Sequence, residues 1–413
     1  MHLIRPFAGL RPAPGRAAEV IAPPYDVLST DEARARAAGK PWSFLHISKP
    51  EINLPAGTSP YAPQVYARAA ENLGLMLREG ILARDPAPYY YVYRIIMGGH
   101  TQVGLVAAAS VADYESNRIR KHEHTQTEKE DDRVRQIDAL NAQTGPVMLA
   151  YPSAQETDHI LARCAAGAPE ADVTADDGIR HSLWVVRDAD TQARLTRAFD
   201  AMPALYIADG HHRSAAASRV AAARRAANPR HTGEENYNYF LTVIFPHRQM
   251  QILAYNRVVA DLNGMNAGAF LARVQDNFSV ENSPAPVMPA KRAEFGLYLA
   301  GKWHRLTIRR ELIPANDPVA RLDVKLLSDH LLAPVLGIKD LRRDKRIDYV
   351  GGIRGLPELE KRVNSGEMAA AFSFYPTSME DLMAVSEACE VMPTKSTWFE
   401  PKLADGLVSH ILD

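Results

Sequence analysis

The chain of 413 residues has very little cysteine: Cys164 and Cys389 stand far apart, with no C-x-x-C pair and no zinc-type spacing. That excludes a disulfide framework and a cysteine-based metal site, and it fits a reducing compartment. No charge sign is in surplus either, with 48 basic and 49 acidic residues giving a formal net charge of −1. A protein built mainly to grip nucleic acid carries a basic excess, so the balance argues against a nucleic-acid partner. No apolar run reaches the roughly 18 residues needed to span a bilayer. The opening stretch MHLIRPFAGLRPAPGR sets prolines where a signal peptide requires a continuous apolar core, and it predicts a cytoplasmic chain. Also missing are a 20–50-residue repeat, a G-x-S-x-G elbow, an H-E-x-x-H pair and a Walker loop, which argues against solenoids, common hydrolases, zinc proteases and P-loop NTPases.

What is present is an ordinary globular composition, 46% hydrophobic and 23% charged, with length enough for two or three domains. The patterning predicts a mixed α/β chain with two lobes, 1–260 and 261–413. Residues 17–22 read as a strand leading to the stiff turn Pro23-Pro24-Tyr25-Asp26, with a short helix from Ser29. Residues 61–78 have helical spacing, and residues 89–111 read as a hairpin turning at Gly98-Gly99. A polar segment, residues 118–133, leads into a helix with Thr127 and Glu130 at capping-box spacing. Residues 239–245 and 251–259 read as paired strands. The second lobe shows a helix near 266–277, a hairpin over 295–308 and a helix near 319–336. Strands at 369–375 and 407–411 complete it.

The most informative stretch is Leu205-Tyr206-Ile207-Ala208-Asp209-Gly210-His211-His212-Arg213-Ser214, followed by an alanine-rich run. An apolar strand enters a tight turn at Gly210 and a helix starts at once. Such a junction points unpaired N–H groups and the positive end of a helix dipole out of the sheet edge, which makes an anion site. Arg213 adds a planar fork suited to phosphate, and the histidines add donors. Asp209 is a candidate for holding Mg²⁺, taking a proton, or simply capping the helix.

Other residues extend the candidate site. His122-Glu123-His124 has two imidazoles flanking an acid, suited to ligating a metal with help from Asp209, His211 or His212, or else forming a solvated loop. For phosphoryl transfer, Glu123 is the candidate general base. Lys129 and Arg133, four apart, share a helix face as a phosphate clamp or a solvated stripe. Tyr25 and Asp26 on the rigid turn, His122 and His124, and Lys395 with Ser396 are candidates for holding the substrate.

The sequence Asp209-Gly210-His211-His212-Arg213 followed by an alanine helix resembles the second box of the ParB/sulfiredoxin-like fold. Within it the motif is most similar to that of the free serine kinases. The resemblance implies a nucleotide-binding core, ATP or ADP with Mg²⁺ as cofactors, and transfer of phosphate to a small hydroxyl compound such as free serine. At the scale of the whole chain, three signatures resemble the family catalogued as domain of unknown function 1015. They are Ile4-Arg5-Pro6-Phe7 with Ala22-Pro23-Pro24-Tyr25-Asp26-Val27; Lys121-His122-Glu123-His124-Thr125 with Lys129-Glu130-Asp131-Asp132-Arg133; and Met392-Pro393-Thr394-Lys395-Ser396-Thr397-Trp398-Phe399. Thr394 stands where a second proline is expected. A phosphotransferase with small-molecule and nucleotide partners is the leading reading, and a homo-oligomer is compatible with it. A non-catalytic nucleotide-binding or ParB-like regulator and a metal-dependent hydrolase remain as alternatives.

Overall fold

The computed structural model describes residues 2–413, a mixed α/β chain that divides into two compact units. The first is residues 1–250 together with Pro401–Asp413, and the second is Gln251–Glu400. The expected boundary near 260 therefore moves to 250. The last thirteen residues do not belong with the second lobe, because Ser409–Ile411 pairs with Gly9–Leu10 on one side and Ala142–Gln143 on the other. A terminal strand finds its partners by tertiary pairing, which local sequence does not encode.

The first unit is organised on a nine-stranded sheet. Its main path runs Ile119–Arg120, Leu205–Asp209, Val147–Tyr151, Tyr239–Pro246, His100–Ser110, Tyr90–Met97, Arg180–Val186 and Ala171–Thr174, with Ile4–Arg5 paired beside His100–Ser110. The predicted hairpin is there, and Gly98 takes φ 57° in its turn. The central strands are buried end to end, which is why they read as continuous apolar runs. Leu105, Leu149, Ile207 and Ile244 lie in one core cluster with Ala216 and Val220 of the helix His211–Ala227. The alanines of that helix let it lie close to the sheet.

The second unit carries a six-stranded sheet ordered Phe278–Ser283, Lys302–Ile308, Glu294–Leu299, Ala370–Phe374, Tyr255–Val259 and Ile347–Gly351, and a separate pair, Gln251–Leu253 with Trp398–Glu400. The hairpin over 295–308 forms, turning through Ala300 and Gly301. Residues 239–246 and 251–259 are not partners: the former lies in the nine-stranded sheet, and the latter splits between the two sheets of the second unit. Residues 17–22 hold a one-turn helix, Ala17–Val20, rather than a strand. Their alternation of small and apolar residues suits either state, and burial of Ala17 and Val20 decides it. Residues 319–336 give only Asp323–Leu327 as α-helix, followed by a wider turn over Ser328–Leu332. Thr127 does not cap its helix; Gln126 holds the cap position without a side-chain bond, and the hydroxyl of Thr125 reaches Glu130 instead.

Candidate functional site

Two segments distant in sequence meet at the edge strands of the first unit's sheet. Ile119–Arg120 runs parallel to Leu205–Tyr206, so the residues following each strand emerge at the same end. One strand delivers His122 and Glu123, and the other delivers Asp209 and the turn. The turn depends on Gly210, whose φ of 102° is closed to most side chains. A Cβ there would also stand 3.3 Å from the Cα of Val147.

Gly210 is itself the N-cap of the seventeen-residue helix His211–Ala227, and no side chain caps that end. Asp209 is therefore not a helix cap. The first intrahelical bond at the turn is from the Ser214 N–H to the Gly210 carbonyl, so the N–H groups of His211, His212 and Arg213 have no acceptor within the helix. Lys402 meets the residue just before the turn: its Nζ is 3.2 Å from Asp209 Oδ2, while Asp209 Oδ1 is 3.5 Å from the Arg213 guanidinium. Burial works against ionisation of Asp209, yet Lys402 and Arg213 outweigh it and hold the carboxyl well below the usual range.

The side chains of the motif do not all face outward as the phosphate reading expects. Arg213 is 9% exposed and donates to the carbonyl of Pro146. Its guanidinium also lies 3.7 Å from Asp26, with Asp405 close enough to act on it electrostatically. A guanidinium so occupied ties the turn to the Pro-Pro loop, and its donors are largely spent within the fold. His211 is buried too, and Ser214 donates its hydroxyl back to the His211 carbonyl. Burial holds the His211 ring well below its ordinary pKa, with His122 adding to the effect. The same cause brings His122 down to about 4. Both imidazoles are neutral at pH 7, so they act as acceptors or ligands and not as cations. His212 is half-buried, and its Nε2 accepts the N–H of Gln126 at 3.0 Å, which joins the turn to the start of the helix Thr127–Leu140.

Glu123 is partly exposed, with Oε2 3.8 Å from His211 Nδ1. Tyr25 lies under the Arg133 guanidinium at 3.8 Å, and Arg133 is also paired with Asp132 at 2.6 Å. Arg133 is thus held inside the fold, whereas Lys129 and His124 are exposed. The structure brings together Tyr25, Asp26, Glu123, His122, Asp209 and the turn. Lys395 and Ser396 belong to the second unit, where the Lys395 carbonyl accepts from Arg257 at 2.9 Å and the Ser396 hydroxyl is bonded to the Pro393 carbonyl.

Sequence reasoning missed Lys402 and Asp405. Asp405 is placed by backbone bonds to Ala22 in both directions, and it lines a cavity of about 30 Å³ with Tyr25, Arg133 and Arg213. Burial pushes its carboxyl up to about 7 against the pull of Arg213. No local motif marks either residue; only the return of the C-terminal segment to the first unit does.

The family described as "Protein of unknown function (DUF1015)" matches residues 4–325. The chain belongs to this family. No curated protein matches the chain. Among solved structures, a free serine kinase in complex with AMP is 13% identical with a TM-score of 0.35, the match covering 71% of this chain and 86% of that one. A conserved hypothetical protein from Pyrococcus furiosus is 13% identical with a TM-score of 0.35, over 74% and 95%. SbnI from Staphylococcus aureus, with its C-terminus truncated, is 10% identical with a TM-score of 0.38, over 73% and 86%. Among the described residues no helix is long and apolar enough to cross a membrane.

Proposed function

We propose that the chain binds the phosphates of a nucleotide at the turn 209–212 and transfers a phosphoryl group to a small hydroxyl compound, free serine being the first to try. The observation that carries this reading is the uncapped start of a seventeen-residue helix with Lys402 beside it. Unpaired N–H groups, the helix dipole and a lysine converge there on a place for negative charge. Asp209 holds Lys402 in position through their ion pair, and Arg213 acts from within as the clamp that fixes the turn. In the transfer, the acceptor oxygen bonds to phosphorus, the bond to the departing nucleotide oxygen breaks, and Glu123 takes the hydroxyl proton. The acceptor would be oriented from the side of Asp26 and His122.

Mg²⁺ is the metal such chemistry implies, and Asp209 does not fit it as a ligand, because each of its oxygens already faces a cation. No step is therefore assigned to a metal on Asp209. The reading is tested by incubating the purified chain with ATP or ADP, Mg²⁺ and a pool of amino acids and sugars, with products read by mass spectrometry. A phosphorylated hydroxyl compound is the expected product. Failure of calorimetry to detect ATP or ADP binding removes the phosphate site itself. Nucleotide binding without any product leaves a nucleotide-binding regulator in place of an enzyme.

A further inference from the structure

Next to the anion turn is a group of donors that also contains the proposed base, Glu123, and whose arrangement the transfer does not by itself explain. His122, His211 and Glu123 each offer one ligand atom, and the three atoms lie within 4.8 Å of one another. Both histidines are buried, at 2% and 5% exposure, and their rings meet edge to face with centroids 4.4 Å apart. Nδ1 of His122 is buried with no hydrogen-bond partner among the described residues. Leaving such an atom unpaired is costly, so it marks a place where something binds. The backbone carbonyl of Ile207 also acts on this ring. A proton on Nε2 facing a carbonyl leaves the lone pair on Nδ1, which is how metal-binding imidazoles are commonly oriented from behind. His211 contributes a second neutral ring, which now accepts only a long 3.4 Å contact from the His122 N–H. Glu123 contributes a carboxylate from the partly exposed side.

We propose that His122, His211 and Glu123 form a site for a divalent first-row metal ion of the zinc class, anchored on the lone pair of His122 Nδ1. Two imidazoles and one carboxylate suit Zn²⁺, Co²⁺ or Fe²⁺ far better than Mg²⁺, which prefers oxygen ligands and keeps its waters. Ligand atoms around tetrahedral zinc at ~2.0–2.1 Å lie roughly 3.3 Å apart, so the cluster closes by about an ångström or a little more when the ion enters. Three protein ligands leave a fourth position for water or an exchangeable ligand. The site is built without Asp209 and without nucleotide, so it stands or falls separately from the phosphate turn. Glu123 is shared with the proposed transfer, so a seated ion takes the carboxylate that would accept the hydroxyl proton, and adding Zn²⁺ to the Mg²⁺-nucleotide assay should lower transfer.

The test uses the full chain, stripped with chelator and dialysed against Zn²⁺ or Co²⁺. Elemental analysis should find one equivalent, and the Co²⁺ form should show visible ligand-field absorption, with excess Mg²⁺ displacing neither. Glu123→Gln keeps the buried pair intact and should weaken Co²⁺ binding at least tenfold. His122→Ala should abolish the absorption, with circular dichroism confirming that the variant is folded, while His159→Ala on a distant surface helix keeps one equivalent. A wild-type chain that retains less than a tenth of an equivalent overturns the site, as does Co²⁺ affinity unchanged in Glu123→Gln. Calorimetry with ADP on the metal-free chain reports on the phosphate turn alone, so failure of either site is seen without the other.

Discussion

Each unit buries an arginine, and the two are kept in opposite ways. Arg213 in the first unit faces Asp209 and Asp26, with Asp405 nearby, and its pKa is held above the ordinary value despite burial. Arg257 in the second unit is fully buried, and no carboxylate figures among the groups acting on it. Burial brings it down to about 10, with Tyr349 and Tyr255 partly opposing. Its guanidinium donates to the carbonyls of Tyr255, Thr394 and Lys395 and lies 4.8 Å from the Phe374 ring centroid. The first is the hub of a charge network beside a candidate site. The second is a clamp that shapes the loop carrying Lys395, whose backbone sits at φ 58°. Burial of a guanidinium alone therefore says nothing about function; the partners decide.

Replacing each arginine by methionine, which keeps the apolar stem and removes the guanidinium, exposes that difference most strongly. Arg213→Met leaves the partly exposed Asp26 and Asp209 and the buried Asp405 without their shared cation, and should cost about 2–4 kcal/mol, below the full penalty of breaking a buried pair because solvent reaches two of the three. Arg257→Met strands only carbonyls and should cost about 1–3 kcal/mol. Urea unfolding of both variants at pH 7 measures the gap; equal losses would mean that the carboxylates around Arg213 are not held by its charge.

Asp405 sharpens the contrast through pH. Its folded pKa, about 7, exceeds the ordinary carboxyl value, so between roughly pH 4 and 7 the native state binds a proton that the unfolded chain has released. Its contribution to stability is present at low pH and is lost as the pH rises through 7. Asp209 works the other way: its folded pKa is depressed, so its contribution is lost in acid. Asp405→Asn should gain on the wild type by about 2 kcal/mol between pH 5 and pH 8 in urea titrations. A constant difference across that range would show that Asp405 is ionised throughout.

Much of the fold was open to local reading because local rules govern it. The Tyr-rich strand, the Gly98-Gly99 turn and the strand–turn–helix at 205–227 all follow from periodicity and backbone demands, and each is in place. The motif also gave the position of the candidate site. What it did not give was the direction of the side chains. A His-His-Arg run at a helix start gives no sign that His211 and Arg213 turn inward while His212 stays nearer the surface, because their neighbours are distant in sequence: His122 for His211, and Pro146, Asp26 and Asp405 for Arg213. Lys402 escaped notice for the same reason. It enters through a tail whose assignment to the first unit rests on two short strand pairings and the Ala22–Asp405 bridge.

That correction gives a smaller and more selective effect at the turn. If the anion site is built from backbone N–H groups and Lys402, then Lys402→Met should weaken ADP binding about tenfold, roughly 1.4 kcal/mol, and flatten its dependence on salt. Calorimetry at two ionic strengths reads both. Unchanged affinity would return the burden to Arg213 as the phosphate ligand, against its present partners.

The smallest effect belongs to Lys129, which the sequence offered as half of a phosphate clamp and which the structure leaves exposed. Its partner in that clamp, Arg133, is spent on Asp132 and Tyr25, so a two-pronged grip is not available. Lys129 still acts on His212, whose pKa is lowered first by burial and then by this neighbouring charge. Removing the charge in Lys129→Ala leaves the burial in place, so the His212 midpoint in an NMR pH titration should move up without returning to the ordinary imidazole value, and by less at high salt. Stability should change by less than about 0.5 kcal/mol, as for other exposed charges. A loss of ADP affinity rivalling that of Lys402→Met would place the phosphates nearer the helix Thr127–Leu140 than the uncapped start at Gly210, and the two lysines would then exchange roles.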